Sequence, residues 1–421
     1  MALTRSPHRS YWFLFKISLF WLGLSTVWGG LNIVYLPDRV ETLVGSANKG
    51  TFVGLLVALG LVVAVIVQPV MGAVSDRSSH RWGRRRPFMV AGALVTALLL
   101  LMMAAISTYA LLLTAVILMQ ISANTAQGAY QGVIPDLTPE SQRGRASSLY
   151  GIMNMAGQVL GALAAGLLLD AGYPGAFLFV AAGMLTLTAL LAAFVTPEEA
   201  RPPASDRTGL RVEATRRWRE LRDAPGFRWF LISRVLFFMG LLASDNILLF
   251  TLRERLQVDD PGATATLVLG TMIVFAILVS LPAGWLADRY GRRSLVYAGC
   301  GIAAVGALIM MTALQLSVLL AGVAVLGVGL GAFTAADWAM AMDLLPDRSA
   351  TGLYMGITNL APAGGDALAS LMAGLVLDTF NRVQPLLGYG VVYAMMAVLF
   401  VLGGLALIRV PAPERNIGST R

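Results

Sequence analysis

Residues 72–88 read GAVSDRSSHRWGRRRPF. A long apolar run precedes them and another follows. Five arginines fall within ten positions, from Arg77 to Arg86. A shorter version, GWLADRYGRR, occupies 284–293, 212 residues further on. So much positive charge between greasy segments needs a physical reason, and that reason organises the whole chain.

The 421 residues are 57% hydrophobic and 13% charged, with mean hydropathy +0.73. Soluble chains carry about 25% charged residues. Apolar runs of about 20 residues recur from end to end, each long enough to cross a bilayer as a helix. The net charge of +8 does not point to nucleic acid, because the arginines lie between apolar runs and not along one soluble face. Their anionic partner is the inner membrane leaflet. Cys300 is the single cysteine, so no intrachain disulfide forms. The only histidines, His8 and His80, lie outside the apolar runs, which leaves carboxylates as the buried proton carriers. Arg5, Arg9 and Lys16 flank the first apolar run. That run, Tyr11 to Leu36, is too long for a signal peptide and lacks a small-residue cleavage site, so it reads as a retained helix.

Twelve transmembrane helices are predicted, at roughly 12–36, 51–74, 87–107, 109–134, 146–169, 174–195, 229–252, 264–287, 294–313, 317–342, 350–377 and 386–408. With the N-terminus inside, the inner segments hold about 25 of the 31 Lys and Arg, as the positive-inside rule requires. Both termini are then cytoplasmic, in a plasma (cytoplasmic) membrane protein. The arginines of 72–88 lock an inner loop in place.

The chain also repeats itself. YWFL (11–14) is echoed by RWFL (228–231), and GAVSDR by GWLADR. PDLTPE (135–140) is echoed by MDLLPD (342–347), and GIMNMA (151–156) by GITNLA (356–361). LAAGLLLD ends at Asp170 as LMAGLVLD ends at Asp378. Five matches in one order mean a duplicated six-helix unit. The domains are 1–195, a basic linker at 196–228 lying on the inner surface through Trp218 and Leu221, and 229–421. Parallel repeats with a site between them near the midplane describe a rocking transporter. The fold class is an all-α membrane protein of two pseudo-symmetric six-helix bundles.

The repeated loop G-x-x-x-D-R-x(n)-G-R-R resembles the signature loop of the major facilitator superfamily, and with twelve helices and a central linker the resemblance covers the whole chain. The loop suggests a gating latch of Gly72, Asp76, Arg77, Gly83, Arg84, Arg85 and Asp136, and, in the second half, Gly284, Asp288, Arg289, Gly291, Arg292, Arg293 and Asp343. Gly72 and Gly284 allow close helix approach. Asp76 and Asp288 can accept from helix N-termini, where the dipole favours an anion. The resemblance implies which termini: residues 350–352 for Asp76 and 144–146 for Asp288. Arg84, Arg85, Arg292 and Arg293 are expected to pair with Asp136 and Asp343. Such contacts, present only when the inner side is closed, would bias the chain outward-open. Residues 68–88 and 153–166 also resemble the sucrose–proton and glycoside–cation symporter branch. Plant sucrose symporters carry ionised residues in the fourth helix; this chain has none there.

Polar groups inside the membrane are costly and therefore candidate sites. Gln120, Asn124, Gln127 and Gln131 share one face of the fourth helix. Ser147, Gly151, Asn154 and Gln158 do so in the fifth, and Asn359, Pro362, Asp366 and Ser370 in the eleventh. Asn32, Trp28, Asn246 and Trp338 complete the substrate-binding candidates, drawn from these stripes as Gln120, Asn124, Gln127, Asn154, Gln158 and Asn359. The alternative for each stripe is hydrogen bonding between helices. Asp245, Asp366 and Asp337 are the proton-coupling candidates, because a buried carboxyl can be neutral in one state and charged in another. Arg234 pairs with Asp337 or faces lipid. Gly157–Gly161 and Gly327/Gly331 read as packing contacts, and Pro69, Pro282 and Pro362 as kinks. No metal cluster, nucleophile elbow or phosphate loop is present, so the chain is not read as an enzyme. The reading is a monomeric carrier for a small-molecule substrate such as a sugar or glycoside. It needs no cofactor and is powered by a proton or cation gradient. A drug–proton antiporter is the alternative.

Overall fold

In the computed structural model, residues 10–78, 80–133, 137–138, 142–196, 223–345 and 351–410 are described. Among them are twelve helices long and apolar enough to cross a membrane. They are α1 (Tyr11–Val44), α2 (Lys49–Arg77), α3 (Arg86–Met103), α4 (Tyr109–Gln131), α5 (Arg143–Asp170), α6 (Ala176–Val195), α7 (Pro225–Arg255), α8 (Pro261–Tyr290), α9 (Arg292–Met311), α10 (Leu316–Asp343), α11 (Thr351–Val383) and α12 (Leu387–Ala406). No strand occurs among the described residues. Large apolar side chains such as Ile66, Leu98, Phe179, Phe194, Leu278 and Ile408 are exposed, as lipid-facing surfaces require.

Two expected boundaries move furthest. α1 runs eight residues past 36, because its apolar run gives way to an amphipathic end (LPDRVETLV) that continues through Pro37 in the first turn. α11 continues to Val383 in place of 377. The expected linker falls mainly at 197–222, outside the described residues, and α7 begins at Pro225, where proline suits a helix start. Pro69, Pro282 and Pro362 lie inside helices that run on through them.

The described residues pack as two units. The first comprises those within Met1–Ser205, Ala243–Gly270 and Asp366–Tyr389. Here α1 packs on α5 and α6, and α4 on α2 and α3. A Cβ on Gly29, Gly157 or Gly161 would collide with the facing backbone of α5 or α1, so small residues let these two helices touch. Phe20, Trp21, Tyr130 and Tyr150 form an aromatic core, with the Tyr130 hydroxyl donating to the Ile17 carbonyl at 2.8 Å. The second unit comprises those within Asp206–Leu242, Thr271–Gly365 and Gly390–Arg421. Gly327 and Gly331 of α10 meet the carbonyls of Met272 and Ala276 on α8. Phe237, Phe333 and Phe400 stack in its core.

Candidate functional site

α7 is not continuous. Its regular part ends at Leu242, a 3-10 turn spans Asp245–Ile247, and a π-turn spans Thr251–Arg255. The sequence Ala243–Ser244–Asp245–Asn246 explains the break, since Ser, Asp and Asn side chains compete with the helix for backbone hydrogen bonds. α1 carries its own π-turn at Leu31–Tyr35, including Asn32, and that turn packs on Asp245–Ile247.

At the break, the Asn246 amide donates to Ser370 Oγ at 2.6 Å, and the Ser370 hydroxyl donates to Asp366 Oδ1 at 3.0 Å. Asn246 and Ser370 are buried; Asp245 and Asp366 are half-buried. Among the described residues, neither acid has an ion pair. The first unit thus gathers two acids, an amide and a hydroxyl from α7 and α11.

Asp337 lies elsewhere, in the second unit. It forms a buried ion pair with Arg234, whose Nε donates to the Thr358 carbonyl at 3.1 Å. The guanidinium also lies 5.3 Å from the Phe238 ring and 5.7 Å from that of Trp338. Of the two partners considered for Arg234, Asp337 is the one it meets, and Asp337 is charge-compensated where Asp245 and Asp366 are not. Trp338 itself is 47% exposed.

The amide stripes are partly self-satisfied. The Asn124 amide donates to the Gln120 carbonyl and side-chain oxygen at 2.8 and 2.9 Å, within α4. Asn154 donates to Ser25 Oγ of α1 at 3.0 Å, and Gln158 donates to Asn154 at 2.9 Å. That is hydrogen bonding within and between helices. Gln127, Asn32 and Trp28 remain half-buried. The side chain of Asn359 lies outside the described residues.

Among the described residues, one of the expected loop pairs is formed and several loop residues have further partners. Gly83 and Gly291 have φ of 95° and 93°, a conformation that admits glycine freely and other residues at a cost. Arg85 reaches Asp76 Oδ1 at 2.8 Å and the Ala129 carbonyl at 3.3 Å, in space that Gly132 leaves open. Arg85 therefore bonds within its own loop as well as to α4. Arg292 meets Asp343 at 2.6 Å, as expected. Arg293 turns to the Tyr297 hydroxyl and the Ile408 carbonyl. Arg289 lies over Trp285 and Tyr290, and Arg77 ends α2, exposed. A Cβ at Gly284 would meet nothing within 4 Å among the described residues, and one at Gly72 would only touch Gly128 at 3.4 Å. Neither glycine shows a collision-close neighbour among the described residues. Asp136, residue 350 and the side chain of Asp288 lie outside the described residues, as do the contacts expected of them.

The sequence reading missed a charge network at the helix ends opposite the 72–88 loop. Arg253 donates to Asp38 and Glu41, each at 2.9 Å. Lys49, 2% exposed, bonds to Glu41 at 2.6 Å and to Glu254, and lies 4.3 Å from the Phe250 ring. The Tyr389 hydroxyl donates to Glu254 at 2.6 Å. The partners lie up to 215 residues apart, so no local pattern announces them.

The sequence profile of the Major Facilitator Superfamily matches residues 17–365 and 246–420. A lactose permease of Leuconostoc lactis is 30% identical over 145 residues, which span 30% of this chain and 23% of that protein. A class H tetracycline resistance protein of Pasteurella multocida is 24% identical over 88% of this chain and 91% of its own length. Among solved structures, a mutant form of the nucleoside transporter NupG superposes with a TM-score of 0.72 at 13% identity, covering 95% of this chain and 100% of that one.

Proposed function

The chain belongs to the major facilitator superfamily and is an integral membrane transporter, not an enzyme; on that premise we propose that it carries a small polar solute such as a sugar or glycoside, by proton symport and rocker-switch alternating access. In this reading the basic loops and both termini face the cytoplasm, across the plasma membrane, and the Lys49–Arg253 network faces outward. The six-helix halves 1–195 and 229–421 rock about the linker.

One observation carries the coupling: the Asn246–Ser370–Asp366 chain ends at the break in α7 beside Asp245. A carboxylate only accepts hydrogen bonds, whereas a carboxylic acid also donates. Protonation at Asp366 Oδ1 would set a second donor against the Ser370 hydroxyl, and the chain would then rearrange beside the 3-10 turn of α7. Asp245 or Asp366 carries the coupling proton in this scheme, and Asp337 stays paired with Arg234. Half-buried Asn32, Trp28 and Gln127 of the first unit supply amides and a ring suited to a polyhydroxylated solute.

A drug–proton antiporter is the second reading. It is favoured by the length of the match to the tetracycline resistance protein. Vesicle uptake of labelled sugars and glycosides, with and without an inward proton gradient, tests the choice. Gradient-driven accumulation of one sugar supports symport. Expulsion of tetracycline with no sugar uptake supports antiport.

A further inference from the structure

Two aspartates at the outward helix ends make the same contact in the two halves of the sequence. Asp170, the last residue of α5, accepts from the backbone N–H groups of Gly262 and Ala263 at 3.0 and 2.8 Å. Asp378, near the end of α11, accepts from Gly50 and Thr51 at 3.1 and 2.6 Å. α8 starts at Pro261 and α2 at Lys49, so each carboxylate takes the N–H groups of the second and third residues of the facing helix. Those groups have no partner within their own helix, and the positive end of the helix dipole favours an anion there. The side chain of Asn48, which precedes α2, makes no capping bond. The carboxylate from α11 does that work.

The register is built in one turn earlier. Gly166 and Gly374 stand four residues before their aspartates, on the same helix face. A Cβ on Gly166 would collide with the Gly262 carbonyl, and one on Gly374 with the Gly50 carbonyl. The repeated G-x-x-x-D, in LAAGLLLD and LMAGLVLD, thus serves two purposes. Glycine brings the helices into contact, and aspartate caps the neighbour. Each contact joins a helix of the first sequence half to one of the second: α5 to α8, and α2 to α11. The two sites differ in burial. Asp378 is 4% exposed, whereas Asp170 is exposed. Lys49, the first residue of α2, would oppose the dipole of its own helix, and Glu41, Glu254 and Asp378 offset that charge.

We propose that Asp170 and Asp378 are paired outer latches, each a carboxylate from one half capping a helix of the other, which hold the outer side closed and must release in every transport cycle. Both are positioning residues; neither needs to touch substrate. The proposal rests on the alternating-access reading and not on the substrate or the coupling ion.

The test is a distance measurement in liposomes. In a Cys300→Ser background, spin labels replace exposed Tyr173 and Asp259 across the first latch, or exposed Ala47 and Gln384 across the second. Pulsed spin-resonance distances then give the ratio of open to closed outer side. Asp378→Asn should raise that ratio about tenfold, as expected for losing a buried charge-assisted cap. Asp170→Asn, in solvent, should raise it by about threefold. Gly166→Ala keeps both carboxylates but forces α5 off α8, and should shift the ratio the same way. Asp378→Glu should recover part of the closed population, which distinguishes lost capping from a general loss of fold. If the wild type shows two populations whose ratio all the variants leave within about twofold, below the usual range of coupling energies, the latch is overturned alone. If the wild type shows one invariant distance in every condition, alternating access falls, and the latch with it.

Discussion

Replacing Asp337 by asparagine should destabilise the protein more than any other single charge removal among the intramembrane acids. Arg234 and Asp337 are 3% and 1% exposed and form an ion pair within the second unit. Removing one partner of a buried pair leaves an uncompensated charge and costs about 3–5 kcal/mol. The guanidinium would keep its bond to the Thr358 carbonyl and its position over Phe238 and Trp338. Those contacts return only ~1–2 kcal/mol. The two partners are not equivalent. A carboxyl can shed its charge by taking a proton, and a guanidinium cannot. Asp337→Asn should therefore cost more than Arg234→Met. The double variant Arg234→Met/Asp337→Leu should return to within about 1 kcal/mol of wild type, because a well-packed apolar pair often replaces a buried ion pair at no loss. Asp337 Oδ1 lacks a hydrogen-bond partner among the described residues, so the native pair is itself incompletely satisfied. The assay is thermal unfolding of purified protein in detergent, followed by tryptophan fluorescence. With the unfolding entropy scaled to 421 residues, 1 kcal/mol shifts the midpoint by roughly 1 °C, so Asp337→Asn should lower it by about 3–6 °C. Additive losses in the double variant would refute the idea that the two charges act as one buried unit.

Three further outcomes follow from the same geometry. Asp366→Asn should abolish gradient-driven accumulation while leaving solute exchange across the membrane intact; loss of both in counterflow assays would argue for a packing role. Gly83→Ala or Gly291→Ala should each cost about 1–2 kcal/mol, because both glycines have positive φ, and the same thermal assay reads it. Asp76→Asn should slow uptake about fivefold, the low end for a coupling of ~1 kcal/mol. Solute binding should be retained, since Asp76 bonds to Arg85 and is not part of the Asn246–Ser370–Asp366 chain.

Hydropathy alone revealed the helices because a bilayer imposes one length on every apolar run. It misjudged the end of α1, where the helix outlasts its apolar run and Asp38 and Glu41 pair with Arg253 instead. Periodicity located the polar stripes, yet it could not tell a ligand-facing amide from one such as Asn154, already bonded to Ser25 of a neighbouring helix. The acids were visible because charge is rare in apolar runs. The link from Asn246 through Ser370 was not, since it depends on a partner 124 residues away. Asp170 and Asp378 were in plain sight as the ends of a repeat. Their use, capping the N-terminus of a helix from the other half, depends on tertiary packing that no spacing encodes.

The most direct test of the coupling claim is lumenal pH in proteoliposomes as single sugars are added outside. The account predicts that one sugar acidifies the lumen as it enters, and that Asp245→Asn or Asp366→Asn removes the acidification. A sugar that enters with no pH change, or acidification that survives the loss of both carboxyls, would contradict it.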